Sequence, residues 1–203
     1  MGVAPHRTAR IERSTKETEI SLSLDLDGCG RGEIGTGIPF FDHMLALFAR
    51  HGLLDLQVRA RGDREVDFHH TVEDVGICLG QAVEAALGDK IGIRRYGFAL
   101  VPMDEALAQA AIDVSGRPFL ALRTPDLPPL ALLHAGAFPA QLLEEFLRAV
   151  TVHGMLTLHL EIRAARDPHH LLEASFKAVA RALAMSVEKD GRIVDVPSTK
   201  GVL

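Results

Sequence analysis

Apolar side chains recur along this chain with two periods. Residues 8–14 and 18–26 alternate weakly between apolar and polar positions, the period of strands, and Asp27-Gly28 ends the second run. Pro39 suits the first turn of a helix running to about Arg50, with Gly52 as its stop. Leu54, Leu56 and Val58 alternate again as a strand. From His69, apolar residues at 72, 75, 79, 83 and 86 form a helical stripe that Gly88 closes. Short strands are expected near 98–101, 107–114 and 119–123. Residues 124–139 contain four prolines and read as a connector, apolar enough to pack on a neighbour. Helices are expected over 140–152 and 169–188, with a strand at Leu156, Leu158, Leu160 and Ile162 between them. The tail is punctuated by Gly and Pro.

The two halves of this pattern match. His51-Gly52 and the helix before it align with His153-Gly154 at an offset of 102, which places His43 over Glu145. The next loop is two residues shorter in the second half. The helix starts His69-His70-Thr71-Val72-Glu73 and His169-His170-Leu171-Leu172-Glu173 therefore stand 100 positions apart. A match across a helix, a strand and a second helix indicates duplication, whereas a solenoid needs more copies. The expected fold class is α+β: internally duplicated half-domains with helices packed on one sheet face. The expected organisation is one domain, with repeats over about 8–95 and 96–190 and a tail over 191–203.

Both copies present the same chemistry. On a helix, His69 with Glu73 and His70 with Glu73 share a face, while adjacent imidazoles diverge by about 100° and can serve different ions. A lone His-His pair at a helix start is more often a solvated polar pair, but its repetition favours ligands. His43, His69, His70, Glu73, Glu145, His169, His170 and Glu173 would supply two ions with about four donors each. Imidazole and carboxylate without thiolate suit Mn²⁺, Fe²⁺, Co²⁺ or Zn²⁺, and open positions would indicate catalysis. His159 aligns with Gln57 and reads as surface or core, not ligand. His51 and His153 precede helix-ending glycines, where a cation favours the helix C-terminus.

Composition narrows the function. A net charge of −5, no Trp and a single Tyr argue against nucleic-acid partners. Two cysteines outside any CxxC pair argue against a disulfide framework or thiolate zinc. The first six residues form no signal core, His6 breaks a myristoylation motif, and no apolar run reaches the roughly 20 residues of a bilayer span. A cytoplasmic location is expected. The glycine-rich run 30–37 matches neither a P-loop nor a dinucleotide fingerprint and reads as a flexible turn. Asp42 and Asp104-Glu105 read either as acid–base groups or as helix-dipole partners. Ser198-Thr199-Lys200-Gly201 reads as an anion clamp or a solvated tail.

Taken together, Thr15-Lys16-Glu17-Thr18, Thr36-Gly37-Ile38-Pro39-Phe40-Phe41-Asp42-His43, both His-His-x-x-Glu blocks, Met103-Asp104-Glu105-Ala106-Leu107, Ser115-Gly116-Arg117-Pro118 and Pro197-Ser198-Thr199-Lys200-Gly201 resemble the imidazoleglycerol-phosphate dehydratase family of histidine biosynthesis. The resemblance implies a fold like the second domain of ribosomal protein S5. It implies dehydration of D-erythro-imidazole-glycerol phosphate to imidazole-acetol phosphate with two Mn²⁺ per active site. The eight donors above become the metal ligands, with Glu145 standing where some members have His. Glu17 becomes the acid–base residue, and Arg95, Arg117, Lys177, Ser198 and Lys200 the phosphate contacts. It also implies a homo-oligomeric cage of 24 subunits with sites at subunit interfaces. The chain departs from the family pattern at Ala165-Arg166-Asp167-Pro168, in the apolar connector, and at Ala184-Met185-Ser186. A dinuclear hydrolase acting on a phosphorylated small molecule, a metal-binding cage and an RNA-binding module are the competing readings. The acidic balance weighs against the last.

Overall fold

The computed structural model describes residues 6–203, so residues 1–5 of the stretch read for signal and lipidation motifs lie outside the described residues. The first half runs β1 (Thr8–Ser14), β2 (Thr18–Asp25), β3 (Gly32–Gly35), α1 (Pro39–Gly52), β4 (Asp55–Gly62) and α2 (His69–Leu87). The second half runs β5 (Tyr96–Met103), β6 (Ala106–Asp113), β7 (Phe119–Arg123), a 3-10 turn (Leu130–Leu132), a small hairpin of β8 (His134–Ala135) and β9 (Phe138–Pro139), α3 (Leu142–His153), β10 (Thr157–Ala164) and α4 (Pro168–Val187).

The duplication expected from the sequence recurs in the topology. The sheets are ordered β1-β2-β4-β3 and β5-β6-β10-β7. In each, the first three neighbours pair antiparallel and the last strand joins in parallel. Alternation dictates which face is covered: Ile20, Leu22, Leu24, Leu56 and Val58 point inward from the first sheet, and Ala108, Ala110, Leu158, Leu160 and Ile162 from the second. Each sheet thus carries helices on one face only. Helices α1 and α2 rest on the first sheet and α3 and α4 on the second, while α1 packs on α4 and α2 on α3. The helix layers of the two halves meet, and one contiguous apolar cluster runs through both. Phe41, Phe138, Phe146 and Phe176 pack together within it.

Two glycines set how closely these layers approach. A Cβ on Gly80 of α2 would lie 2.7 Å from the Val150 carbonyl oxygen of α3. A Cβ on Gly97 of β5 would lie 1.9 Å from the Ala182 carbonyl oxygen of α4. A backbone atom cannot swing aside as a side chain can, so Gly97→Ala should cost about 3 kcal/mol through overpacking. Urea unfolding read by circular dichroism checks this; an unchanged midpoint would show that the strand and helix have room to separate.

Three sequence expectations need correction. The glycine-rich run is not a flexible turn, since Gly32–Gly35 is a strand in parallel register with β4, opposite Leu56 to Arg59. Its glycines hide any apolar alternation. Gly52 is the last residue of α1 and not its stop; Leu53 takes the left-handed conformation at φ 55°, as Met155 does in the second half at φ 52°. The connector contains the 3-10 turn and the β8–β9 hairpin, and it seats Phe138 in the core.

Candidate active site

Each His-His pair is set by an aspartate two residues before it. Asp67 Oδ1 accepts the His69 backbone N–H at 2.7 Å, and Asp167 Oδ1 accepts that of His169 at the same distance. These carboxylates hold orphan donors at the helix N-termini. The unusual Asp167-Pro168 thus supplies a cap and a proline at the first helical position, where its missing N–H costs nothing. Sequence reading missed both aspartates, although they are themselves 100 positions apart.

Because α1 lies on α4, His43 reaches the start of α4. His43 Nε2 stands 3.5 Å from Glu173 Oε2, and His169 Nε2 stands 3.3 Å from the same oxygen. One donor atom from each of the three residues falls within 4.8 Å of the others, the one such group of three among the described residues. Glu173 is only 7% exposed, and Lys177 Nζ donates to its other oxygen. Burial pushes the Glu173 carboxyl up, but Lys177 and His169 outweigh it, and the net displacement is downward. Phe40 packs edge-on against the His169 ring at 5.2 Å between centroids.

The remaining donors are arranged in pairs. His69 Nε2 is 3.9 Å from Glu73 Oε2. His70 Nδ1 donates to Asp63 Oδ2 at 3.0 Å, and His170 Nδ1 donates to Glu105 Oε2 at 2.8 Å. In both, a carboxylate fixes Nδ1 and leaves Nε2 without a hydrogen bond among the described residues, with Asp104 Oδ2 3.9 Å from that of His170; a carboxylate on the far nitrogen is the usual support for a metal-binding imidazole. Asp63 was not expected from the sequence, and Glu105 was expected only as an acid–base or dipole group. Glu145 lies half-buried on α3, facing the connector beside Leu130, Gln141 and Glu144, and is outside the three-donor group.

Glu17 and Glu105 occupy equivalent turns beside the second histidines, and their surroundings differ. Glu105 accepts the backbone N–H groups of Asp167 and Arg166 as well as His170, which together hold its carboxyl down at about 2. It is a structural anion and a poor base. Glu17 sits in the β1–β2 turn with its carboxylate 56% exposed and 3.9 Å from His70 Nδ1. Asp42 accepts the Thr36 backbone N–H at 2.8 Å, which makes it a fastener of the loop before α1.

The proposed phosphate residues divide. Arg95 forks onto Asp113, with Nε 2.7 Å from Oδ1, and donates to the Pro197 carbonyl at 2.9 Å. Arg117 lies 4.0 Å from Asp113, and Arg95 borders a shallow depression with Pro197 and Ser198. Lys200 is exposed in the tail. Lys177 stands apart from these four at the Glu173 end. His159 is on the outer face of the second sheet against Phe119. His51 departs from the cationic role expected of it: burial, then Lys177 and Arg181, push its pKa down.

Protonation of the paired histidines has a definite sign. Asp63 raises the His70 pKa and Glu105 raises that of His170. In metal-free protein these pairs stabilise the fold fully below about 6.5, and the contribution is lost as pH rises through the raised values. A protonated imidazole cannot ligate, so metal affinity should move the other way and fall as pH drops through the same range. Metal titrations by calorimetry between about pH 6 and 8 read this; affinity independent of pH would exclude both rings as ligands.

These features define a class: an internally duplicated α+β enzyme that opens two helices with matched histidine–carboxylate clusters. A profile of the imidazoleglycerol-phosphate dehydratase family matches residues 36–183. The dehydratase of that name from Acidiphilium cryptum is 58% identical over 198 residues, covering 97% of this chain and 99% of its own. That from Moorella thermoacetica is 58% identical over 197 residues, covering 97% and 98%. The crystal structure of the Staphylococcus aureus enzyme superposes with a TM-score of 0.79 at 36% identity, over 90% of this chain and 99% of that one. The Pyrococcus furiosus structure gives 0.78 at 32% identity, over 95% and 100%. The chain belongs to the imidazoleglycerol-phosphate dehydratase family, hydro-lyases of histidine biosynthesis acting on a small-molecule substrate. No helix among the described residues is long and apolar enough to cross a membrane.

Proposed function

We propose that this chain converts D-erythro-imidazole-glycerol phosphate to imidazole-acetol phosphate with two Mn²⁺ ions per site, in the cytoplasm. The observation that carries the reading is the convergence of His43, His169 and Glu173. A buried carboxylate flanked by two imidazole nitrogens, with no thiolate nearby, is a donor set that fits Mn²⁺. His70 and His170, with Nδ1 engaged, offer Nε2 as further donors, and His69, Glu73 and Glu145 complete the proposed ligands. Bound metal would supply charge stabilisation to the imidazole end of the substrate.

The chain's own groups do the rest. Glu17, exposed and next to His70, takes the proton from the carbon bearing the second hydroxyl. The hydroxyl beside the imidazole ring leaves as water with the proton that Glu17 took, and the enol formed becomes the ketone as its O–H proton is lost and one is added at the carbon beside the ring. Arg95, Arg117, Ser198, Lys200 and Lys177 hold the phosphate, Lys177 from the Glu173 side. We also read the chain as one domain of two repeats, 8–95 and 96–190, with the tail over 191–203. Twenty-four copies would form a cage, with sites closed by neighbouring subunits.

Incubation of Mn²⁺-loaded protein with the substrate, followed by phosphorus and proton NMR, tests the reaction. Ketone formation with the phosphate ester intact is expected. Release of inorganic phosphate would favour a dinuclear hydrolase, and no turnover with any divalent metal would reject both. If sites bridge subunits, chelation should lower the particle mass in light scattering; an unchanged mass would reject that linkage.

A further inference from the structure

The two metal-cluster helices begin alike and diverge one residue past their glutamates. Helix α2 continues Glu73-Asp74, whereas α4 continues Glu173-Ala174. Asp74 is 6% exposed and lies within a polar network in the first half. Thr18 Oγ1 donates to Asp74 Oδ2, and Arg13 Nη2 lies 3.0 Å from Oδ1. Thr18, 4% exposed, directly follows Glu17. Thr15 Oγ1 accepts the backbone N–H groups of Glu17 at 3.1 Å and Thr18 at 3.0 Å, and it lies 3.3 Å from Thr18 Oγ1. The Glu17 carbonyl accepts the Asp63 N–H at 3.1 Å, and Asp63 carries the His70 ring.

This network fixes the backbone of Glu17 from both sides. Among the described residues, no hydrogen bond holds its carboxylate. In the second half the equivalent turn carries Glu105, which direct hydrogen bonds hold, and the helix position below it is apolar. Asp74 is buried while the Arg13 side chain is 33% exposed, so the pair costs desolvation mainly of the carboxylate and is weak evidence for stability in itself. Of the two helices, only the one in the half that carries Glu17 has a carboxylate at this position, and that asymmetry argues for placement.

We propose that Asp74, acting through Thr18 and Thr15, is a positioning residue that aims the Glu17 carboxylate at the substrate beside His70. The inference rests on the reading of Glu17 as proton carrier. Asp74 ties the helix that bears His69, His70 and Glu73 to the turn that bears Glu17, so metal and base keep one registration. A displacement of about 1 Å at such a group costs about 10²-fold in rate.

Thr18→Val keeps the volume of the side chain and removes the link. It should lower kcat about 10²-fold with KM and metal affinity unchanged, and Thr18→Ser should restore turnover. In a Glu17→Gln background Thr18→Val should lower kcat no further, because the two act as one unit. Asp74→Asn should speed hydrogen exchange at the Glu17 and Thr18 amides. Full activity of Thr18→Val beside an inactive Glu17→Gln would overturn the positioning role and leave the base in place. Loss of metal in Thr18→Val would also overturn it, showing a general structural role. If Glu17→Gln is itself active, the base assignment falls; unchanged amide exchange in Asp74→Asn would then reject the network as well.

Discussion

Glu173→Ala should lower the stability of the metal-free protein by about 3–5 kcal/mol and abolish metal binding at its cluster. Glu173 is buried, and the Lys177 ammonium that faces it is itself largely covered, beside the Met103 sulfur at 3.8 Å. Removing the carboxylate leaves that largely covered cation without its partner, and this is the costly half of breaking a buried pair. The repeat supplies its own control. Glu73 occupies the equivalent position with a side chain 45% exposed and His69 at 3.9 Å. Glu73→Ala should therefore change stability by about 0–1 kcal/mol while still weakening metal binding. Urea unfolding of both metal-free variants, with Mn²⁺ titration alongside, separates the two effects. A Glu173→Ala protein as stable as the parent would show that the carboxylate contributes nothing to the fold.

Glu17→Gln should lower turnover by about 10²–10⁴-fold while metal content and fold stay as in the parent. The side chain is exposed and accepts no hydrogen bond among the described residues; its ion-pair contact is His70 Nδ1 at 3.9 Å, so the amide keeps the fold and the loss reads chiefly proton transfer. Glu105→Gln should behave differently. Its carboxylate holds His170 and the N–H groups of Arg166 and Asp167, so its loss should weaken metal affinity about 10–100-fold through the imidazole it orients. Steady-state kinetics with metal analysis of the two variants distinguishes them. Metal loss in Glu17→Gln, or undiminished turnover, would refute the role given to Glu17.

The sequence carried the helices and the inner strands because their apolar periods are long and regular. Helix α2, for example, buries Val72, Val75, Leu79, Val83 and Ala86 at the spacing the stripe predicts. Strand β3 escaped because Gly32 and Gly35 have no side chain to alternate, and its pairing with β4 is fixed by tertiary contact. The hairpin β8–β9 escaped because it is two residues per strand and its one deeply buried apolar anchor is Phe138. In the site, the duplicated His-His-x-x-Glu spacing disclosed the donors because i and i+4 share a helix face. It could not disclose Asp63 or Glu105 as partners of His70 and His170. Those partners come from the end of β4 and the β5–β6 turn, and only the fold brings them to the helices. The distinction between Glu17 and Glu105 is likewise invisible in composition, since both follow a strand and differ in what their oxygens accept.

Every role proposed for the site requires that the clusters opening α2 and α4 hold divalent metal. Anomalous diffraction from crystals soaked in Mn²⁺, recorded on either side of the manganese edge, tests it directly. Peaks are predicted beside the His43, His169 and Glu173 donors and at the His70 and His170 Nε2 atoms. Manganese bound elsewhere, with those donors still in contact only with one another, would contradict it.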